Sequence, residues 1–128
     1  MSQAKPFVAV VDDDESVSRA IKRLLRSTGL AADTFKTGND FLDMFDSIPS
    51  YRPACIVLDV QMPGLNGLEV QQRLAGSGIP IIFITAHDDA VVRDQALAAG
   101  AAGYLRKPFN DEILIKAVRS AIDPAPKP

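Results

Sequence analysis

Short apolar runs alternate with helix-like stretches five times along this chain, and that alternation limits the fold more than any single residue does. Phe7–Asp12, Ala31–Phe35, Cys55–Asp59, Ile79–Thr85 and Gly103–Leu105 read as strands, the second weak and the fifth short. Each is followed by mostly apolar residues at helical spacing. Val17, Ile21, Leu24, Leu25 and Thr28 make the first such face; Phe41, Leu42 and Phe45 the second; Leu68, Val70, Gln71 and Leu74 the third. Val91, Val92, Ala96 and Leu97 make the fourth, and Ile113, Leu114, Ala117, Val118, Ala121 and Ile122 the last. Thr37 or Asn39 caps the second helix, and Gly29, Pro49, Gly76-Ser77-Gly78 and Gly100 supply the stops. Strand–helix units in series predict a parallel sheet covered by helices on both faces. Right-handed crossovers narrow the topology without fixing the strand order.

In sheets of this class, ligands meet the C-terminal ends of the strands. Polar residues stand at four of those ends. Asp59 closes the apolar run Cys55-Ile56-Val57-Leu58, and Pro63-Gly64 forms the turn beyond it. Asp12-Asp13-Asp14-Glu15 follows the first strand. If the two strands adjoin, their carboxylates converge, and like charges that close need a cation or a shared proton. Hard oxygen ligands of this kind favour Mg2+. The combination points to phosphoryl chemistry, with Asp59 as a carboxylate nucleophile. Asp14 and Glu15 read instead as a helix cap and first-turn charge. Thr85, before small Ala86, reads either as a β-branched strand residue or as a hydroxyl donor to a phosphoryl oxygen. Lys107 is the only lysine between Lys36 and Lys116 and leaves the fifth strand on the carboxylate side. The bond to Pro108 is a candidate for the cis form. Tyr104 reads as a packing residue with a switch role left open, and His87 as an exposed loop residue.

Several classes drop out. A length of 128 residues suits one domain, and 47% hydrophobic with 23% charged residues is an ordinary globular profile. A net charge of -2 gives no reason to expect nucleic-acid or membrane binding by this segment. No apolar run approaches membrane-span length, and Met1–Pro6 lacks a signal-peptide core. The single cysteine, Cys55, reads as a small buried hydrophobe and fits a reducing cytoplasm. With one histidine, a multi-histidine zinc site is excluded, and no Walker loop or dinucleotide glycine fingerprint is present. Residues 1–122 are therefore expected to form the domain. The proline-rich Asp123–Pro128 is expected to be an extended tail or the start of a linker.

Four segments together carry a family resemblance: Val11-Asp12-Asp13-Asp14, Leu58-Asp59-Val60-Gln61-Met62-Pro63-Gly64-Leu65-Asn66-Gly67, Ile84-Thr85-Ala86 and Lys107-Pro108-Phe109. In this order and at strand ends, they resemble the receiver domain of two-component response regulators, over about Phe7 to Ile122. The resemblance implies a flavodoxin-like (βα)5 fold with strand order 2-1-3-4-5. It implies Asp59 as phospho-acceptor and Mg2+ held by Asp12, Asp13, Asp59 and the Gln61 carbonyl. Thr85 and Lys107 match the pair that contacts the phosphoryl group. Tyr104 matches the aromatic that moves with Thr85, and Gln61 and His87 match positions that tune phosphate lifetime. A sensor histidine kinase or phosphotransfer protein is the implied donor, and homodimerisation on phosphorylation is common in the family. The Thr-Ala-His and Lys-Pro-Phe-Asn stretches look closest to receivers of helix-turn-helix transcription factors. A haloacid-dehalogenase-like phosphatase needs an aspartate where Gln61 stands, so it ranks lower. A phosphate-independent interaction module would be expected to have lost an acidic, threonine or lysine position, and all are present.

Overall fold

The computed structural model describes residues 5–123. Its elements follow in strict alternation. They are β1 (Phe7–Val11), α1 (Glu15–Ser27), β2 (Ala31–Phe35), α2 (Gly38–Ser47) and β3 (Cys55–Asp59), then α3 (Gly67–Arg73), β4 (Ile81–Thr85), α4 (Ala90–Ala98), β5 (Gly103–Arg106) and α5 (Asp111–Ile122). All pairings are parallel, and the strand order is β2-β1-β3-β4-β5. This is the expected flavodoxin-like sheet, with the reversal of strand order between β1 and β3. The expected tail beyond Asp123 lies outside the described residues.

Strand alternation divides the core into two layers. Val8, Val10, Cys55, Val57, Ile82 and Ile84 face Ile21 and Leu25 of α1 and Leu114 and Val118 of α5. Ala9, Val11, Ile56, Leu58 and Phe83 point the other way, toward Phe41 of α2, Val70 of α3 and Ala96 of α4. β3 and β4 are buried along their whole length, which explains their nearly continuous apolar sequences. β2, at the sheet edge, keeps Asp33 and Thr34 exposed and reads weakly for that reason.

Boundaries differ from the sequence reading by one or two residues. β4 starts at Ile81 rather than Ile79, because Pro80 has no N–H to give the ladder; its carbonyl still accepts from the Ile56 amide. β1 stops at Val11 rather than Asp12, although the Asp12 amide still donates to the Phe35 carbonyl at 3.0 Å. β5 reaches Arg106, which pairs with Thr85. Thr37, not Asn39, caps α2. Asn66 and Glu69 cap α3 reciprocally, and Asp14, Asp89 and Asn110 cap α1, α4 and α5.

Candidate functional site

Parallel register brings the polar strand ends together. Val11 pairs with Leu58, so Asp12 leaves β1 beside Asp59, the last residue of β3. Asp59 pairs with Ile84, which places Thr85 at the neighbouring end of β4. Thr85 pairs with Arg106, and the Lys107 amide donates to the Thr85 carbonyl at 2.7 Å. The chain then turns through a cis Lys107–Pro108 bond.

Carboxylate oxygens of Asp12, Asp13 and Asp59 lie within 4.8 Å of one another. Asp12 and Asp59 are almost wholly buried, at 1% and 5% exposure, whereas Asp13 is exposed. The pocket is thus open on one side. Asp12 is held at both oxygens: Oδ1 accepts the Asp14 amide at 2.9 Å and Oδ2 accepts Lys107 Nζ at 2.7 Å. Asp59 is held less well. Its Oδ1 accepts the Gln61 amide at a long 3.4 Å, and Lys107 Nζ stands 3.5 Å from its Oδ2. Burial, and then the charge of Asp12, push the Asp59 carboxyl up to about 7, with Lys107 opposing. Burial works against the Lys107 ammonium, yet the hydrogen bond to Asp12 and the charge of Asp59 leave it above the ordinary lysine value. A site with more negative than positive charge, built from oxygen donors and open to solvent, fits a hard divalent cation.

Thr85 is completely buried, and its hydroxyl faces the following loop rather than the carboxylates. Its Oγ1 donates to the His87 carbonyl at 2.9 Å and accepts the His87 amide at 3.1 Å. The His87 side chain is exposed. The Tyr104 ring packs in the α2–α3–α4 layer, 6.3 Å from that of Phe83. Its hydroxyl oxygen is buried with no hydrogen-bond partner among the described residues, and burial followed by the charges of Asp88 and Asp89 raises its pKa. The ring itself is partly buried against that layer.

Two contributors escaped the sequence reading. Ser18, buried on α1, donates from Oγ to the Asp12 carbonyl at 3.2 Å. The available signal was a polar residue three positions before core residue Ile21, on the apolar face. Gly67 opens α3 against the exit of β3, its amide donating to the Val60 carbonyl at 2.8 Å. A Cβ there would stand 2.5 Å from the Asp59 carbonyl oxygen.

Comparison with known proteins agrees with this arrangement. A family model described as the response regulator receiver domain matches residues 8–119. Response regulator protein TmoT of Ectopseudomonas mendocina is 39% identical over 129 residues, spanning 99% of this chain and 57% of that protein. Transcriptional regulatory protein FixJ of Azorhizobium caulinodans is 40% identical over 117 residues, spanning 90% of this chain and 54% of that protein. The chain thus spans about half the length of these curated relatives. A crystal structure of a response regulator receiver protein from Burkholderia phymatum matches with a TM-score of 0.86 and 65% identity, covering 94% of this chain and 98% of that one. Response regulator StyR matches with a TM-score of 0.82 and 43% identity, covering 93% of this chain and 60% of that one.

Proposed function

The chain belongs to the response regulator receiver family of two-component systems, and we propose that it takes a phosphoryl group onto Asp59 from a phosphohistidine donor and turns the added charge into a change of surface. The observation that carries this reading is the cluster of three carboxylates with the Lys107 ammonium reaching two of them, at the meeting point of three strand ends. Asp12, Asp13, Asp59 and the main-chain carbonyl of Gln61 are the proposed ligands of Mg2+. When bound, Mg2+ supplies positive charge that keeps Asp59 ionised and offsets the phosphoryl oxygens.

An Asp59 carboxylate oxygen then attacks phosphorus as the P–N bond to the donor imidazole breaks, and the leaving ring nitrogen keeps the electron pair. Lys107 already lies between Asp12 and Asp59, so a short side-chain movement brings its ammonium onto a phosphoryl oxygen. The donor is a sensor histidine kinase or a phosphotransfer protein.

Switching follows from the hydrogen bonds of Thr85. Turning its hydroxyl toward the new oxygens gives up both bonds to His87. That releases the β4–α4 loop, which leads into α4 with Val91 and Leu97 exposed. Tyr104, packed beneath this region, holds the altered loop. A local charge change thus biases a two-state surface. Dimerisation and a transcriptional output belong to the same proposal, in line with relatives described as transcriptional regulators.

Incubation with acetyl phosphate and Mg2+ is expected to add one phosphoryl group, seen by intact mass, and chelation is expected to prevent it. Failure to label would favour an interaction module that works without phosphate. Repeated turnover of unrelated phosphate esters would favour a phosphatase. His87→Ala is expected to alter the lifetime of the aspartyl phosphate without preventing its formation, since only the backbone of His87 bonds Thr85. Decay followed by Phos-tag electrophoresis checks this, and an unchanged rate removes His87 from the hydrolytic step.

A further inference from the structure

We propose that the Ser18 hydroxyl is a positioning group for the phosphoryl-transfer pocket, acting through the main chain of Asp12. This rests on the metal and phospho-acceptor reading given above. Asp12 is where β1 ends and the acidic loop begins, so its peptide groups set the direction in which Asp12 and Asp13 leave the sheet. Four hydrogen bonds hold that joint. The amide of Asp12 donates to the Phe35 carbonyl of β2, its carboxylate accepts the Asp14 amide and Lys107 Nζ, and its carbonyl accepts Ser18 Oγ. Only the last comes from the body of a helix. It reaches back six residues from α1 to the residue that follows β1, between two residues that are both more than nine-tenths buried.

The surroundings of Ser18 make the choice of residue informative. Its helix neighbours Ile21 and Leu25 are core residues at 2% and 0% exposure, so alanine would satisfy packing at this position. The hydroxyl lies in an apolar helix face and donates to one acceptor, the Asp12 carbonyl. Removing it leaves the Asp12 carbonyl buried and without that donor. Relaxation of that carbonyl turns the peptide between Asp12 and Asp13. These two residues supply two of the three clustered carboxylates, and Asp12 also anchors Lys107. Metal sites are sensitive to partners one bond removed from the ligands for this reason.

The test is a Mg2+ titration followed by thermal unfolding, and separately by backbone amide NMR shifts at Asp13, Asp14 and Asp59. Ser18→Ala is expected to raise the half-saturating Mg2+ concentration by about tenfold. Ser18→Thr, which keeps the hydroxyl, is expected to stay near wild type. Ile21→Val, a small core loss on the same helix, is expected to lower thermal stability without moving the Mg2+ midpoint. In acetyl phosphate labelling, Ser18→Ala should need more Mg2+ but approach the wild-type rate at saturation. A Ser18→Ala midpoint equal to wild type, with only a lower unfolding temperature, would reduce Ser18 to a structural role and overturn the proposal. A wild-type protein with no Mg2+ response would instead remove the ion site itself, and this role with it.

Discussion

Asp59→Asn is expected to accept no phosphoryl group and, without Mg2+, to unfold at a higher temperature than the wild type. The two effects have one cause. The Asp59 carboxyl is buried beside Asp12, and Lys107 satisfies Asp12 at 2.7 Å before it serves Asp59 at 3.5 Å. Holding the carboxyl near 7 instead of 3.8 makes its ionisation cost the fold roughly 4 kcal/mol at the limit, at about 1.4 kcal/mol per pH unit. Water entering the open side of the pocket absorbs part of this, leaving about 1–3 kcal/mol. The asparagine amide has nearly the same shape and no charge to ionise. A gain of this size raises the unfolding temperature by about 4 °C or more in a domain of this length.

The dependence on pH has a definite sign. Between about pH 4 and 7 the folded protein holds a proton on Asp59 that the unfolded chain has released. The folded state therefore binds more protons, and metal-free wild type loses stability relative to Asp59→Asn as pH rises through that window. Below it both forms are neutral at this position and the gap closes. Mg2+ should stabilise the wild type more than the variant, since the variant lacks one carboxylate ligand. Differential scanning fluorimetry of both proteins across pH, with Mg2+ or with EDTA, measures all of this. A variant less stable than wild type at pH 8 in EDTA would show that the buried carboxylate is already neutralised, and the strain assigned to Asp59 would be wrong. Labelling of the variant at wild-type level would place the acceptor elsewhere.

Legibility in the sequence followed how local the governing physics is. Strands and helices were readable because burial on both sheet faces writes nearly continuous apolar runs into β3 and β4 and helical spacing into α1 and α5. The end of a strand is also local, so Asp12, Asp13, Asp59 and Lys107 could be assigned to one rim. Strand order could not be read from periodicity. It depends on which neighbour each apolar edge meets, and only the family resemblance supplied it. The starting position of Thr85 was hidden too. Sequence marks the hydroxyl but not its rotamer, and two hydrogen bonds to His87 turn it from the acidic pocket. Tyr104 was matched to a moving aromatic, yet no sequence pattern tells whether its ring starts inside or outside. Ser18 went unnoticed because one polar residue on an apolar helix face weighs little until its partner is seen.

Gly67 gives the sharpest case of a residue whose importance is steric. Its sequence context, Asn66-Gly67, suggests a flexible turn. In the fold it is a buried first residue of α3, pressed against the exit of β3. A Cβ at this position would lie 2.5 Å from the Asp59 carbonyl oxygen, 3.0 Å from Val60 Cα and 3.0 Å from Phe83 Cε1. Two of these three neighbours are main chain, so no side-chain rotation relieves the contact. Either α3 withdraws, breaking the 2.8 Å bond from the Gly67 amide to the Val60 carbonyl, or the end of β3 shifts and carries Asp59 with it. Gly67→Ala is therefore expected to cost about 2–3 kcal/mol of stability, the upper part of the usual range for overpacking. It should also slow labelling from acetyl phosphate about tenfold or more, since small displacements of a reacting group are costly. Gly64→Ala is the matched control. Gly64 has a φ of 76° and open space around its Cβ position, so alanine there strains the backbone without touching Asp59. Its expected cost is about 1–2 kcal/mol, with labelling largely retained. Denaturant unfolding and labelling rates of the two variants, side by side, separate the readings. If Gly67→Ala proves no worse than Gly64→Ala in both measurements, the close approach of α3 does not fix the acceptor.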